Sequence, residues 1–175
     1  LRYPVQGEID TGDSTWSLIS AIGDALGGSG DAGVPDNMVS KGTGELSVPI
    51  AVHEANYVVA GGKTLWLGWA GGVAPYSVTV AGQDAPLTVA DQAAELAMPA
   101  PANGRFTVEI ADASGHRTSL RFRLKDKLPA PPADIARRSD GPAKALAMAA
   151  WLSKQDDGAW RVAAAQLLDG GKGSA

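Results

Sequence analysis

The chain has 175 residues, a net charge of −4 and no cysteine, which excludes disulfides, thiolate metal sites and cysteine nucleophiles. Apolar residues make up 45% of it, enough to build a core and too many for wholesale disorder. The acidic total argues against general nucleic-acid binding, because neutralising phosphates requires an excess of Lys and Arg. No apolar run approaches the roughly 20 residues of a membrane-spanning helix, so we expect no membrane span in this chain.

Residues 1–35 are predicted to be an N-terminal extension that contains one amphipathic helix. Within 14–26, Ile19, Ile22 and Leu26 recur at helical spacing. We expect this helix to dock on the main domain, and a partner-binding helix is the alternative. A membrane-surface role is disfavoured because the polar face of the helix lacks Lys and Arg.

Residues 36–127 are predicted to form a β-domain, because the hydrophobic period changes to two from Leu46 to about Lys125. Pro49 marks the first strand as an edge or bulge candidate. Alternating apolar residues place strands near 46–52, 65–69, 76–80, 87–89, 96–98, 106–110 and 120–124. The residues of inward parity are predicted to share one core, namely Trp69, Tyr76, Val78, Phe106, Val108, Leu120 and Phe122.

Two motifs in this β-domain resemble a known family. They are Trp69-Ala-Gly-Gly-Val-Ala-Pro-Tyr-Ser-Val-Thr-Val80 and Gly104-Arg-Phe-Thr-Val-Glu-Ile-Ala-Asp-Ala-Ser-Gly115. They are similar to the Gly-Gly-x-x-Pro-Tyr turn and the Gly-x-[Tyr/Phe]-x-Val-x-Val-x-Asp-x-x-Gly hairpin of bacterial immunoglobulin-like and PKD-like repeat domains. The resemblance covers residues 65–124. It implies a mainly β fold, an immunoglobulin-like antiparallel β-sandwich, with no catalytic residues to transfer.

Residues 128–175 are predicted to be a Pro-rich linker followed by a C-terminal αα-hairpin. The linker, 128–133, contains three prolines, each of which fixes φ and removes a backbone donor. Pro142 is placed in the first turn of one helix, and the acidic turn 156–158 leads into a second helix that ends near Leu168. We expect this hairpin to pack on the sandwich, because a lone pair of helices cannot bury its own apolar face.

No group of residues predicts a catalytic, cofactor or metal site. A Ser/His/Asp triad would lack the Gly-x-Ser-x-Gly elbow, and His116 follows a turn glycine, which favours a solvated turn histidine. His53 lies far from His116, with no ligand spacing for zinc between them. We therefore expect a non-catalytic protein without a cofactor.

Four residues form the predicted interaction surface: Trp66, Arg121, Arg123 and Lys125. Alternation places Trp66 outside its sheet, where it either stacks on a sugar or a partner side chain or is covered by a helical segment. The three bases share the outward parity of one strand, within a segment, 105–138, that has eight bases and four acids. We expect this positive face to guide docking of an acidic partner or of residues 1–35, which carry five acids and one base.

The resemblance and the residues together leave three hypotheses of function. The first is a bacterial cell-envelope module, periplasmic or extracellular, that makes protein–protein contacts or acts as a spacer. The alternative is a carbohydrate-binding or accessory domain of a larger surface enzyme, which would bind a glycan through Trp66. A hydrolase acting alone ranks third, and it would require a cleft with a perturbed carboxylate or histidine.

Overall fold

The computed structural model describes residues 45–52 and 54–169, and this part of the chain is mainly β. The seven strands are β1 (Asn56–Val59), β2 (Thr64–Gly68), β3 (Tyr76–Val80), β4 (Leu87–Val89), β5 (Ala93–Ala97), β6 (Arg105–Ala111) and β7 (Arg117–Lys125). The α-helices are α1 (Ala133–Ala136), α2 (Pro142–Leu152) and α3 (Arg161–Asp169), with a 3₁₀ turn at Gln155–Gly158. The helix predicted near 14–26 lies outside the described residues.

The seven strands form two sheets. The larger sheet has the order β1-β7-β6-β3-β4, and the smaller pairs β2 with β5. The pairings are antiparallel, as predicted, except that of β1 with β7, which is parallel. The parallel pair is possible because the whole chain between β1 and β7 serves as the crossover connection that parallel neighbours require.

The first predicted strand, 46–52, does not form as expected. Only Ser47 pairs, in a bridge to Ala70 beside β2, and Pro49 begins a turn in which the Ala51 N–H donates to the Val48 carbonyl. Proline cannot donate to a ladder, so the strand is interrupted there. The chain then passes to the larger sheet, where β1 forms at 56–59, a strand that the alternation did not predict.

The buried side chain of Asn56 fixes the backbone where the chain passes from the smaller sheet to the larger one. Its Oδ1 accepts from the Val52 N–H at 2.9 Å, and its Nδ2 lies 3.1 Å from the Val52 carbonyl and 3.2 Å from the Arg121 carbonyl. Three hydrogen bonds satisfy an amide that is fully buried. The bond to Arg121 fastens the start of β1 to β7, and the other two hold the Val52 backbone against it.

One apolar core is shared by both sheets. All seven residues predicted to be buried together are in it, so that prediction is confirmed. The rings of Phe106 and Phe122 stack with centroids 4.9 Å apart, and Trp69 meets Tyr76 edge to face at 5.4 Å. One aromatic pair thus joins neighbouring strands of the larger sheet, and the other joins the end of β2 to β3 across the core.

The C-terminal helices pack on the strands, which confirms the prediction for that end of the chain. Val162 and Ala165 of α3 belong to the core that the sheets share. At the edge of β2, the Gln166 amide accepts from the Trp66 N–H at 2.9 Å and donates to its carbonyl at 2.7 Å. At the edge of β1, the Tyr57 N–H donates a backbone hydrogen bond to the carbonyl of Ala159, which precedes α3. The helical segment thus covers strand edges that would otherwise be open.

Candidate functional site

The outer surface of β6 and β7 is strongly positive. On both strands the apolar residues of one parity are buried, which leaves the other parity facing outward. We call the outward set of charged residues the basic face, which consists of Arg105, Glu109, Arg117, Arg121, Arg123 and Lys125. It holds five bases and one acid, although the whole chain is acidic.

Arg105 and Arg123 lie directly opposite each other across β6 and β7. The Leu124 N–H donates to the Gly104 carbonyl, so the Arg105–Arg123 pair is of the non-hydrogen-bonded kind, in which facing side chains are closest. Like charges directly opposite each other destabilise a sheet. This position therefore combines a cost to the fold with a concentrated positive charge.

The acid of the basic face is already paired. Glu109 accepts a hydrogen bond from the Arg117 guanidinium at 3.0 Å. Arg105, Arg121 and Arg123 are exposed, and none of them forms an ion pair with any residue that the structure describes. Three guanidinium groups therefore remain for an acidic ligand, each with a planar set of donors suited to carboxylates.

An aromatic ring borders the basic face on the β1 side. The Lys125 ammonium lies 4.2 Å from the centroid of the Tyr57 ring, within the range of a cation–π contact. Tyr57 is the parallel neighbour of Arg123 and packs edge to face against Trp160 at 5.3 Å. Trp160, in the turn before α3, thus packs on the ring that contacts Lys125.

Trp66, the fourth predicted surface residue, lies on the smaller sheet, apart from the three bases on β7. Its side chain is half-buried and packs against the shared core, and its backbone is bound by Gln166. The structure therefore brings Arg121, Arg123 and Lys125 together and does not bring Trp66 to them.

Sequence reasoning missed three contributors to this surface: Arg105, Arg117 and Tyr57. The signal for the two arginines was present, because the turn after β6 sets the register and both residues share the outward parity. Tyr57 had no such signal. Its place beside Arg123 depends on a parallel pairing between distant parts of the chain.

His116 lies in the β6–β7 turn, where Asp112 organises the backbone. The Asp112 carboxylate is buried and accepts hydrogen bonds from the N–H groups of Val73, Ser114 and His116. The His116 ring, which is 63% exposed, approaches it at 3.0 Å through Nδ1. This agrees with the prediction of a solvated turn histidine. Asp112 and His116 form a hydrogen-bonded turn that closes the hairpin.

Gly72 lets this turn approach the rest of the molecule. Its φ of +74° is in the left-handed region, and a Cβ there would lie 3.1 Å from both Asp112 and Leu46. Only glycine avoids both the strain and the contact. The close approach brings the beginning of the described chain next to the β6–β7 turn.

We expect Asp112→Asn to make stability depend less on pH. Burial raises the pKa of Asp112, but hydrogen bonds from His116 and Val73 outweigh burial and hold it below the usual 3.8. A carboxylate with a lowered folded pKa stabilises at neutral pH, and the stabilisation is lost as the pH falls through that pKa. Urea unfolding from pH 7 to pH 3 should show the variant less stable at neutral pH, with the difference narrowing below about pH 4. A difference that stays constant down to pH 3 contradicts this role for Asp112.

A shallow, open groove runs beside α2 and α3. Its lining includes Ala145, Met148 and Leu167, with Asp140 and Lys144 at one end. These two charged side chains already pair at 2.9 Å. The groove therefore presents apolar surface without a converging set of free polar groups.

Comparisons of the chain with protein-family models, with curated proteins and with solved structures found no match. The described residues contain no group of three His, Cys, Asp or Glu side chains that could hold a metal ion. No helix in 45–52 and 54–169 is long and apolar enough to cross a membrane. The basic face is the feature of the described chain that most directly indicates a ligand, and its chemistry favours an acidic one.

Proposed function

We propose that the chain is a non-catalytic interaction module of the bacterial cell envelope, periplasmic or extracellular, that binds an acidic protein surface. One observation carries the proposal: Arg105 faces Arg123 across the sheet, beside Arg121, without a described acid between them. A carboxylate-bearing partner would remove the repulsion that the free sheet retains.

The order of the strands supports the immunoglobulin-like sandwich that the sequence motifs predict. In that fold strands G, F and C are neighbours in one sheet, and strands B and E belong to the other. Here β7, β6 and β3 are neighbours in the larger sheet, and β2 pairs with β5 in the smaller. This is the order expected if β2, β3, β5, β6 and β7 correspond to strands B, C, E, F and G. Such a frame suits a module that presents one sheet face to a partner.

We expect Arg105→Glu to separate the function of the basic face from its effect on the fold. The substitution places an acid opposite Arg123, so the free energy of unfolding should rise by about 0.2–1 kcal/mol. Affinity for an acidic ligand should fall by about fivefold or more at low salt, because one attractive charge is replaced by a repulsive one. The probe is a fluorescein-labelled oligoglutamate peptide, with binding followed by fluorescence anisotropy and unfolding by urea titration.

Lys63→Glu is the matched control for this experiment. It makes the same change of charge at an exposed residue next to β2, away from the basic face. The control should bind the peptide nearly as well as the parent chain, and raising the salt should weaken binding of the parent chain. If Arg105→Glu and Lys63→Glu reduce binding equally, net charge alone is responsible and the proposed surface is wrong.

A further inference from the structure

We propose that the acidic N-terminal segment of this chain, residues 1–44, docks on the basic face and competes there with an acidic partner. The segment contains six acids and two bases, a net charge of −4. The basic face holds the opposite charge, in three arginines without a described ion-pair partner. Charge complementarity of this kind guides docking and makes it sensitive to salt.

The segment joins the described chain close to one end of the basic face. Leu46 lies against Gly72, which also approaches Asp112 in the β6–β7 turn. That turn is the end of the hairpin that carries the basic face. The nine residues of β7 extend over about 30 Å, which about ten residues of extended chain can cover. The 44 residues before Glu45 therefore reach every arginine of the face.

A second copy of the chain is a poorer occupant of the same surface. A symmetric pair formed through the basic face would bring arginine against arginine. A tethered segment has the further advantage of a high effective concentration, in the millimolar range for short flexible connections. An external acidic ligand must displace it. That competition rests on the proposed function, whereas the contact between the segment and the face does not.

The test uses the full chain with five of the six acids of the segment neutralised. The variant carries Glu8→Gln, Asp10→Asn, Asp13→Asn, Asp24→Asn and Asp31→Asn. The matched control neutralises five exposed acids elsewhere, which are Glu54, Asp84, Asp91, Glu95 and Asp134. We would record the side-chain Nε–H NMR signals of Arg105, Arg121 and Arg123, and the affinity for the oligoglutamate probe.

We expect the arginine signals to shift in the N-terminal variant and to remain in place in the control. The N-terminal variant should also bind the probe about fivefold more tightly than the control. Arginine signals that are the same in both variants would overturn the inference. If the signals shift but no form of the chain binds the probe, the docking holds and the proposed function fails. If the parent chain and both variants bind the probe equally tightly and the arginine signals are unchanged, the proposed function is supported and docking of the N-terminal segment is excluded.

Discussion

Phe106→Ala is expected to lower the free energy of unfolding by about 3–5 kcal/mol, as large aromatic truncations in packed cores do. Phe106 is 5% exposed, and its ring stacks on Phe122 of the neighbouring strand with planes 6° apart. The truncation leaves a cavity between β6 and the core, next to the Arg105–Arg123 pair of the basic face. Equilibrium urea unfolding followed by tryptophan fluorescence measures the change.

Thr107→Ala is the control for this core substitution. Thr107 is the next residue on β6 and has the outward parity, opposite Arg121. Its truncation should change the free energy of unfolding by no more than about 0.5 kcal/mol. A loss below about 1 kcal/mol for Phe106→Ala would contradict the placement of the ring in a packed core.

Trp160→Ala is expected to cost a similar amount, about 3–5 kcal/mol, although Trp160 lies outside the sheets. Its side chain is 3% exposed, and it packs against Tyr57 of β1. Its Nε1 donates to the Asp156 carboxylate at 2.7 Å. The substitution therefore removes one of the contacts between the helical segment and β1, together with a hydrogen bond that holds the turn before α3.

Trp160→Phe separates these two contributions. The phenyl ring keeps much of the packing against Tyr57, and the lost hydrogen bond should account for about 1 kcal/mol. The alanine variant should also weaken peptide binding, because Tyr57 supports Lys125 on the basic face. If Trp160→Ala leaves the unfolding midpoint unchanged, the packing of Trp160 on Tyr57 does not contribute to the stability of the strands.

The β-region was largely predictable because its signals are local. Alternation along β6 and β7 identifies Phe106 and Phe122 as inward residues, and the glycine-bearing turn between these strands sets their register. The outward parity of Arg121 and Arg123 follows from the same register. The sequence also predicted the turn before α3 and the start of α2 at Pro142, because the residues that favour turns and helix N-termini lie within a few positions of them.

Other features depend on contacts between distant residues. Alternation over 46–52 predicts a strand, but Pro49 begins a turn and the pairing moves to β1. The two hydrogen bonds between Gln166 and the Trp66 backbone join residues 100 positions apart. No local pattern distinguishes this glutamine from one in solvent, because a side-chain amide is equally compatible with either.

The sequence by itself determined strands β2 to β7, the inward faces of β6 and β7, and the excess of positive charge on their hairpin, because period, parity and turn chemistry are properties of neighbouring residues. Only the tertiary structure decided that β1 lies parallel to β7, that Tyr57 stands beside Arg123, and that α3 covers the edge of β2. Those arrangements arise when both sheets and the helices bury their apolar surfaces together. This shared burial selects one strand pairing among several that local propensity favours equally.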